Sequence, residues 1–275
     1  MILKKIRKHA LIAERRVKFD REMKRIAQYK NPLLAKVLEA FFKVKKSRFS
    51  SEDLLAFDRC ESYRQKLMKD NTIVSYEVFG SDQTSTVAGI CKRAASKPKW
   101  CQLLYALADI PDQPVVLEIG TNVGISGSYI LECIKDKAGS RFVSMEGLPQ
   151  LCELSSGQFE NIVPKEQFEV VQGLYDTTFP EMVSKKIPFN LLFIDGNHKK
   201  DPTLEYLQQL KLIISYPSII IFDDINWSEG MKEAWKIIKA DKDVNYSIDL
   251  YNVGIVILDR EDEKRNVGFE FHLAY

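Results

Sequence analysis

Two apolar runs in this chain each end in acid: Phe-Ile-Asp195-Gly-Asn-His198 closes one, and Ile-Phe-Asp223-Asp224-Ile-Asn226-Trp227 closes the next. The interval between them fits one strand, helix, strand crossover, which sets parallel strands side by side with both ends at the same edge. Three carboxylates meeting in one crevice repel one another unless protons or a cation neutralise them. Oxygen-only ligands suit a hard ion, so Asp195, Asp223 and Asp224 are the candidate metal ligands, with Mg²⁺ expected and Mn²⁺ or Ca²⁺ as alternatives. For Asp195 the competing roles are a helix cap or a cofactor contact. For His198 they are a general base or a structural histidine bonded to a carboxylate. His9 and His272 have no acidic neighbours in sequence and are expected at the surface.

Upstream, Val115-Val-Leu-Glu118-Ile-Gly120-Thr121-Asn122-Val-Gly124 reads as a strand running into a glycine turn. A continuous apolar run bounded by Pro114 and Gly120 fits a strand covered on both faces, and the crevice beyond such strand ends holds the ligand in open α/β sheets. Gly120 permits a sharp turn, and Gly124 is expected to let backbone approach a ligand. The Gly-x-Gly-x-x-Gly pattern of a dinucleotide site is missing. Glu118 would repel a pyrophosphate but suits a ligand carrying an ammonium group. Glu146 ends the next strand, where an acid can accept hydrogen bonds from the ribose hydroxyls of a nucleoside.

The Glu118 to Gly124 stretch resembles the first motif of the class I S-adenosylmethionine-dependent methyltransferases. That resemblance implies S-adenosylmethionine as cofactor, held by Glu118, Gly120, Thr121, Asn122, Gly124, Glu146, Gly147 and Asp195. It also implies that the chain passes under the adenine at Gly173, with Leu174 and Tyr175 able to touch the base. The acidic strand ends are similar to those of metal-dependent O-methyltransferases of the catechol and sugar type. Asp195, Asp223 and Asp224 match the ligand positions of those enzymes, with Asp224 standing where the catechol enzymes have Asn. His198 matches their basic residue three after the first Asp. The implied reaction is O-methylation of a small-molecule or sugar hydroxyl, with His198 and Asp195 as catalytic residues. The resemblance covers residues 100 to 260 well and the N-terminal third poorly.

These residues need a doubly wound, seven-stranded, mostly parallel sheet with an antiparallel C-terminal hairpin. Strands are expected at Val115 to Ile119, Arg141 to Met145, Phe168 to Gln172, Asn190 to Ile194, Ser218 to Phe222, Asn245 to Leu250 and Gly254 to Leu258, with helices between the first five. Trp227, Met231 and Trp235 recur at helical spacing. Met231 and Trp235 are expected in the core, and Trp227 is a candidate wall of the acceptor pocket.

At 275 residues, 45% hydrophobic and 28% charged, the chain has globular proportions and room for one α/β core plus an accessory segment. Five cysteines without a Cys-x-x-Cys pair point to a reduced, cytoplasmic protein. Residues 1–50 hold 16 Lys and Arg against 4 Asp and Glu, a net of +12 in a chain whose total is +2, so the remainder carries −10. They are expected to form a basic helical arm, broken at Asn31-Pro32, that packs on the core or on a second copy of the chain, or else contacts nucleic acid or an anionic membrane. Residues 51–107 are expected as a helical cap, which the resemblance implies faces the substrate and which otherwise packs on one sheet face; it starts at the Ser50-Ser51-Glu52-Asp53 capping signal and includes an extended piece from Ser75 to Phe79 and a polar loop from Ser81 to Thr86. Residues 108–275 form the core. Two other readings are a metal-independent methyltransferase acting on RNA or protein, and a binding module without catalysis.

Overall fold

In the computed structural model, residues 2–274 are described, with side chains from residue 9 onward. Three helices come first: α1 (Ile2–Ile26), α2 (Pro32–Lys45) and α3 (Ser51–Leu67). Each later start has a local cause. Asn31 accepts from the Leu34 amide with Pro32 in the first turn, and Ser50 and Asp53 form a reciprocal capping box. Strands β1 (Ile73–Ser75) and β2 (Thr84–Thr86) pair antiparallel. Helices α4 (Val87–Ala94) and α5 (Pro98–Ala108) lead into the main sheet.

The extended piece expected at Ser75 to Phe79 ends at Ser75. Beyond it Glu77–Phe79 is a 3₁₀ turn closed by Gly80 in a left-handed conformation at φ +70°. The Ser81 to Thr86 loop is strand from Thr84 on, since its β-branched threonines pair with Ile73 and Ser75; a strand polar on both faces carries no alternation to read.

The core alternates strands and helices: β3 (Val115–Ile119), α6 (Ile125–Ile134), β4 (Arg141–Glu146), α7 (Pro149–Glu160), β5 (Phe168–Gln172), α8 (Tyr175–Ser184), β6 (Leu191–Ile194), α9 (Lys200–Leu210), β7 (Ser218–Phe222), α10 (Glu229–Lys239), β8 (Tyr246–Asp249), β9 (Gly254–Leu258) and β10 (Val267–Glu270). Sheet order is β10-β8-β9-β7-β6-β3-β4-β5. From β7 to β5 the strands are parallel, and β9 is antiparallel to both β7 and β8. All seven expected strands are present. An eighth, β10, adds parallel to β8; it is short, contains Gly268, and is tied to α1 by Arg25, which donates to the Gly268 carbonyl.

Alternation along the strands builds a three-layer core. Val116, Phe142, Phe193, Ile219 and Ile257 face one side with residues of α2, α5 and α6, while Leu117, Val143, Ile194, Ile220 and Val256 face the other with α8, α9 and α10. A third cluster joins α3, α4 and α5 to the turn after β3 through Phe57, Ile90, Tyr105, Val123 and Leu148. The segment expected as an arm is thus partly interior: Leu34, Val37, Phe41 and Val44 of α2 are buried in the main core. His272, expected at the surface, is buried because the C-terminal strand lies under α1 and α2, where Phe271 packs on Phe19 and Phe41. Among the described residues no helix is long and apolar enough to cross a membrane.

Candidate active site

Order reverses in the sheet at β3, which lies between β4 and β6; crevices at such switch points hold ligands. Gly120 leaves β3 at φ +102°, and a Cβ there would stand 2.4 Å from the carbonyl oxygen of Asp195. Only glycine lets these strand ends close on one another. Asn122, Asn197 and Asp224 also adopt left-handed backbone, at φ +51°, +54° and +51°. Among residues with a side chain Asn and Asp tolerate that region best, which suits the turns that follow β3, β6 and β7.

Glu146 is buried, with Oε2 accepting from the Asn122 amide at 2.8 Å and Oε1 from the Leu148 amide at 2.9 Å. It borders a cavity of about 350 Å³ whose wall also includes Phe79, Gly147, Gly173, Leu174, Tyr175, Asp176 and Asn197. The expected cofactor residues Glu146, Gly147, Gly173 and Leu174 therefore meet. Phe79, Asp176 and Asn197 were missed. Asp176 and Asn197 follow expected strand ends and could have been found by taking two more residues of each loop; for Phe79 no sequence signal existed.

Other turn residues sit behind this cavity. Glu118 is fully buried, and its two oxygens accept from the hydroxyls of Ser126 and Ser144, so here it braces β3, β4 and α6 where the sequence suggested contact with an ammonium group. Burial pushes its carboxyl up to about 7, against the lowering effect of both hydroxyls. Thr121 is buried against the Ser144 hydroxyl. Gly124, expected to face a ligand, instead faces α7: a Cβ there would lie 2.9 Å from that of Ser155.

A second cavity of about 890 Å³ is walled by Asp223, Asp224, Asn226, Trp227, Tyr251, Arg93, Lys97 and Trp100, among others. Trp227 presents 70% of its surface, whereas Met231 and Trp235 are buried in the core as expected. Asp195 lines neither cavity but neighbours residues of both. Its carboxyl hydrogen-bonds Asp223 in the wall of the larger one, and Asn197, two residues on, lines the smaller.

Asp195 is held well above the usual carboxylate range by burial and by the charges of Asp223 and Asp224. Asp223 is pushed up to about 7 by burial and by Asp224, and burial raises Asp224 as well. His198 Nε2 lies 3.6 Å from Asp195 Oδ1, beyond a hydrogen bond, and burial lowers its pKa against the pull of Asp224. A neutral imidazole beside a crowded carboxylate pair is equipped to accept a proton. The three carboxylates fit a hard divalent ion in donor type and in unrelieved charge. They do not form a finished coordination shell: among the described residues no three His, Cys, Asp or Glu side chains gather as a metal group.

Comparison with known proteins agrees with this layout. Residues 117–225 match the model of a methyltransferase domain. The fold is similar to that of an O-methyltransferase from Bacillus cereus in complex with SAH, at 21% identity and TM-score 0.52 over 61% of this chain and 84% of that one. It is similar to the O-methyltransferase TomG of Streptomyces achromogenes in complex with SAM, at 17% identity and TM-score 0.52 over 60% and 82%. An SAH-bound methyltransferase of Podospora anserina aligns at 16% identity and TM-score 0.53 over 77% and 97%. No curated protein matches the chain. Residues 117–225 thus match a methyltransferase domain, within a fold similar to those of solved methyltransferases in complex with SAH or SAM.

Proposed function

We propose that this domain methylates a hydroxyl oxygen of a small molecule or sugar, assisted by a divalent metal. The observation that carries the reading is the acidic pair of strand ends, with Asp195 bonded to Asp223, Asp224 beside them in the wall of the larger cavity and His198 3.6 Å from Asp195, next to a smaller cavity with an acid at a ribose-binding position. O-methyltransferases in complex with SAH or SAM share the fold, which supports it.

In the reaction the acceptor oxygen forms a bond to the methyl carbon as the carbon–sulfur bond breaks, sulfur keeps the electron pair, and the hydroxyl proton goes to His198. Asp195, Asp223 and Asp224 would hold the metal. When bound, a hard divalent ion supplies positive charge that favours the ionised form of the acceptor hydroxyl. The protein's remaining task is alignment, because displacement requires oxygen, methyl and sulfur in line. Glu146 holds the ribose, and Trp227 gives the acceptor a flat apolar wall.

The test is calorimetry with S-adenosylmethionine and turnover on hydroxyl acceptors, each with Mg²⁺ or with chelator. Asp223→Ala should leave cofactor affinity nearly intact while lowering turnover by about 10³-fold, the scale of a lost charge stabiliser. Turnover that persists in chelator and in that variant sinks the metal role.

A further inference from the structure

Phe79 is a large apolar side chain with 52% of its surface exposed, carried at the tip of the β1–β2 hairpin, outside the residues that match the methyltransferase domain. Exposed aromatics are common on protein surfaces, but this one borders the smaller cavity together with Glu146, Gly147, Gly173 and Leu174. Leu174, in the same wall, is also a large apolar residue left 41% exposed. Two uncovered apolar side chains in the wall of a cavity that also holds a buried carboxylate describe a slot for a flat apolar ring joined to a hydroxylated one, the shape of a nucleoside. The ring's place is made by Gly147: a Cβ there would stand 2.7 Å from two atoms of the Phe79 ring, and its next neighbour, the Gly173 carbonyl, is 3.9 Å away. Gly147 does not have positive φ, so its missing side chain serves the phenyl ring and not the backbone.

From this the geometry points to Phe79 as the aromatic plate on which the adenine of the cofactor stacks, with Gly147 as the residue that seats it. The inference rests on reading that cavity as the adenosyl end of the S-adenosylmethionine site. Stacking needs a π-face and little else, so the contribution belongs to the base and not to the methionine end. The hairpin supplies this plate from a part of the chain whose sequence has no glycine motif or acidic strand end to announce it.

The experiment measures binding of S-adenosylhomocysteine and of adenosine by calorimetry to wild type, Phe79→Ala, Phe79→Trp, Gly147→Ala and the Phe79→Ala/Gly147→Ala double variant. Phe79→Ala should weaken both ligands by the same factor, about ten-fold, a scale set by base–aromatic stacking. Phe79→Trp should retain affinity and report binding as a change in indole fluorescence. Gly147→Ala should weaken binding by displacing the ring, and should add little once the ring is gone, so the two losses are not additive. Because Phe79 is half exposed and the Gly147 backbone suits alanine, thermal unfolding should be unchanged in all four variants. Unaltered affinity of Phe79→Ala, or full additivity with Gly147→Ala, overturns the assignment. Wild type that binds neither ligand overturns the methyltransferase reading itself, a separate result.

Discussion

Asp249, at the end of β8, and Asp195, at the end of β6, are both drawn into the protein, yet their surroundings differ in kind. Asp249 Oδ1 bonds the Arg15 guanidinium at 2.7 Å and the Tyr251 amide at 2.9 Å, and Oδ2 accepts from the Trp235 indole at 2.9 Å. Arg15 in turn donates to the carbonyls of Asp249 and Phe271, tying α1 to β8 and to the chain just past β10. Asp195 has as its partner another acid, and the charges that most raise its pKa beyond burial are those of Asp223 and Asp224. Because β8 runs in the same direction as β6 and β7, both acids lie at one edge of the sheet, and at Asp249 the buried charge is neutralised from within the chain. At Asp195 the same edge gathers charge of one sign. Natural proteins retain such local conflicts where function needs them, so the contrast separates a strand end that holds the fold from one suited to a working site.

The comparison breaks most visibly if the paired strand end is not structural. Arg15→Leu strands a buried carboxylate with only neutral donors, and breaking a buried pair from one side costs about 3–5 kcal/mol. Urea unfolding should show that loss, Asp249→Asn in the same chain should recover part of it, and affinity for S-adenosylmethionine should not move. A loss below about 1 kcal/mol, the range of a solvated surface pair, would place Arg15 and Asp249 among incidental contacts.

Glu118 sharpens the contrast, since it is buried in the working half with hydroxyls alone for partners. Its folded carboxyl titrates at about 7, above its ordinary value. Between those two values the folded chain holds a proton that the unfolded chain has released. Stability must therefore fall as pH rises through this window, and stay low above it. At about 1.4 kcal/mol for each pH unit between the two values, the total is on the order of 3 kcal/mol. Glu118→Gln should match wild type near pH 4 and exceed it at pH 8 in thermal unfolding. Parallel curves for the two proteins across that range would show that Glu118 does not titrate there.

Much of this was readable from the sequence, for reasons that lie in particular residues. Strands covered on both faces, such as Leu191–Ile194 and Ser218–Phe222, are unbroken apolar runs, and the acids that follow them stand out against that background. Gly120 and Glu146 were visible because turn geometry and strand-end chemistry restrict residue type. The Phe79 hairpin was not, since its strands have three residues each and its position over Gly147 depends on contacts between distant segments. The fate of the basic N-terminal residues was hidden in the same way: a lysine or arginine in solvent looks no different in sequence from Lys45 bonded to the His272 carbonyl or Arg25 to that of Gly268. Glu118 shows the opposite limit, where a residue of the right type at the right place turned inward to two serines.

The smallest expected effect tests the contrast at the acids themselves. Asp224→Asn keeps an oxygen donor and a side chain that tolerates φ +51°, and removes one charge from a cluster in which Asp224 raises the pKa of both Asp195 and Asp223. Because Asp224 is only partly buried, solvent screens the gain, which should be about 1 kcal/mol or less, or roughly 2–4 °C in Tm for a chain of this size. With chelator present the variant should therefore melt higher than wild type. On the metal reading a divalent ion should reverse the sign of the effect, because the charge that crowds the crevice is the charge that would hold a cation. Millimolar Mg²⁺ should then raise the Tm of wild type more than that of Asp224→Asn, and the gap should narrow or invert. If Mg²⁺ moves neither protein while the variant stays ahead, the acids relieve one another by sharing protons alone, and the metal role fails.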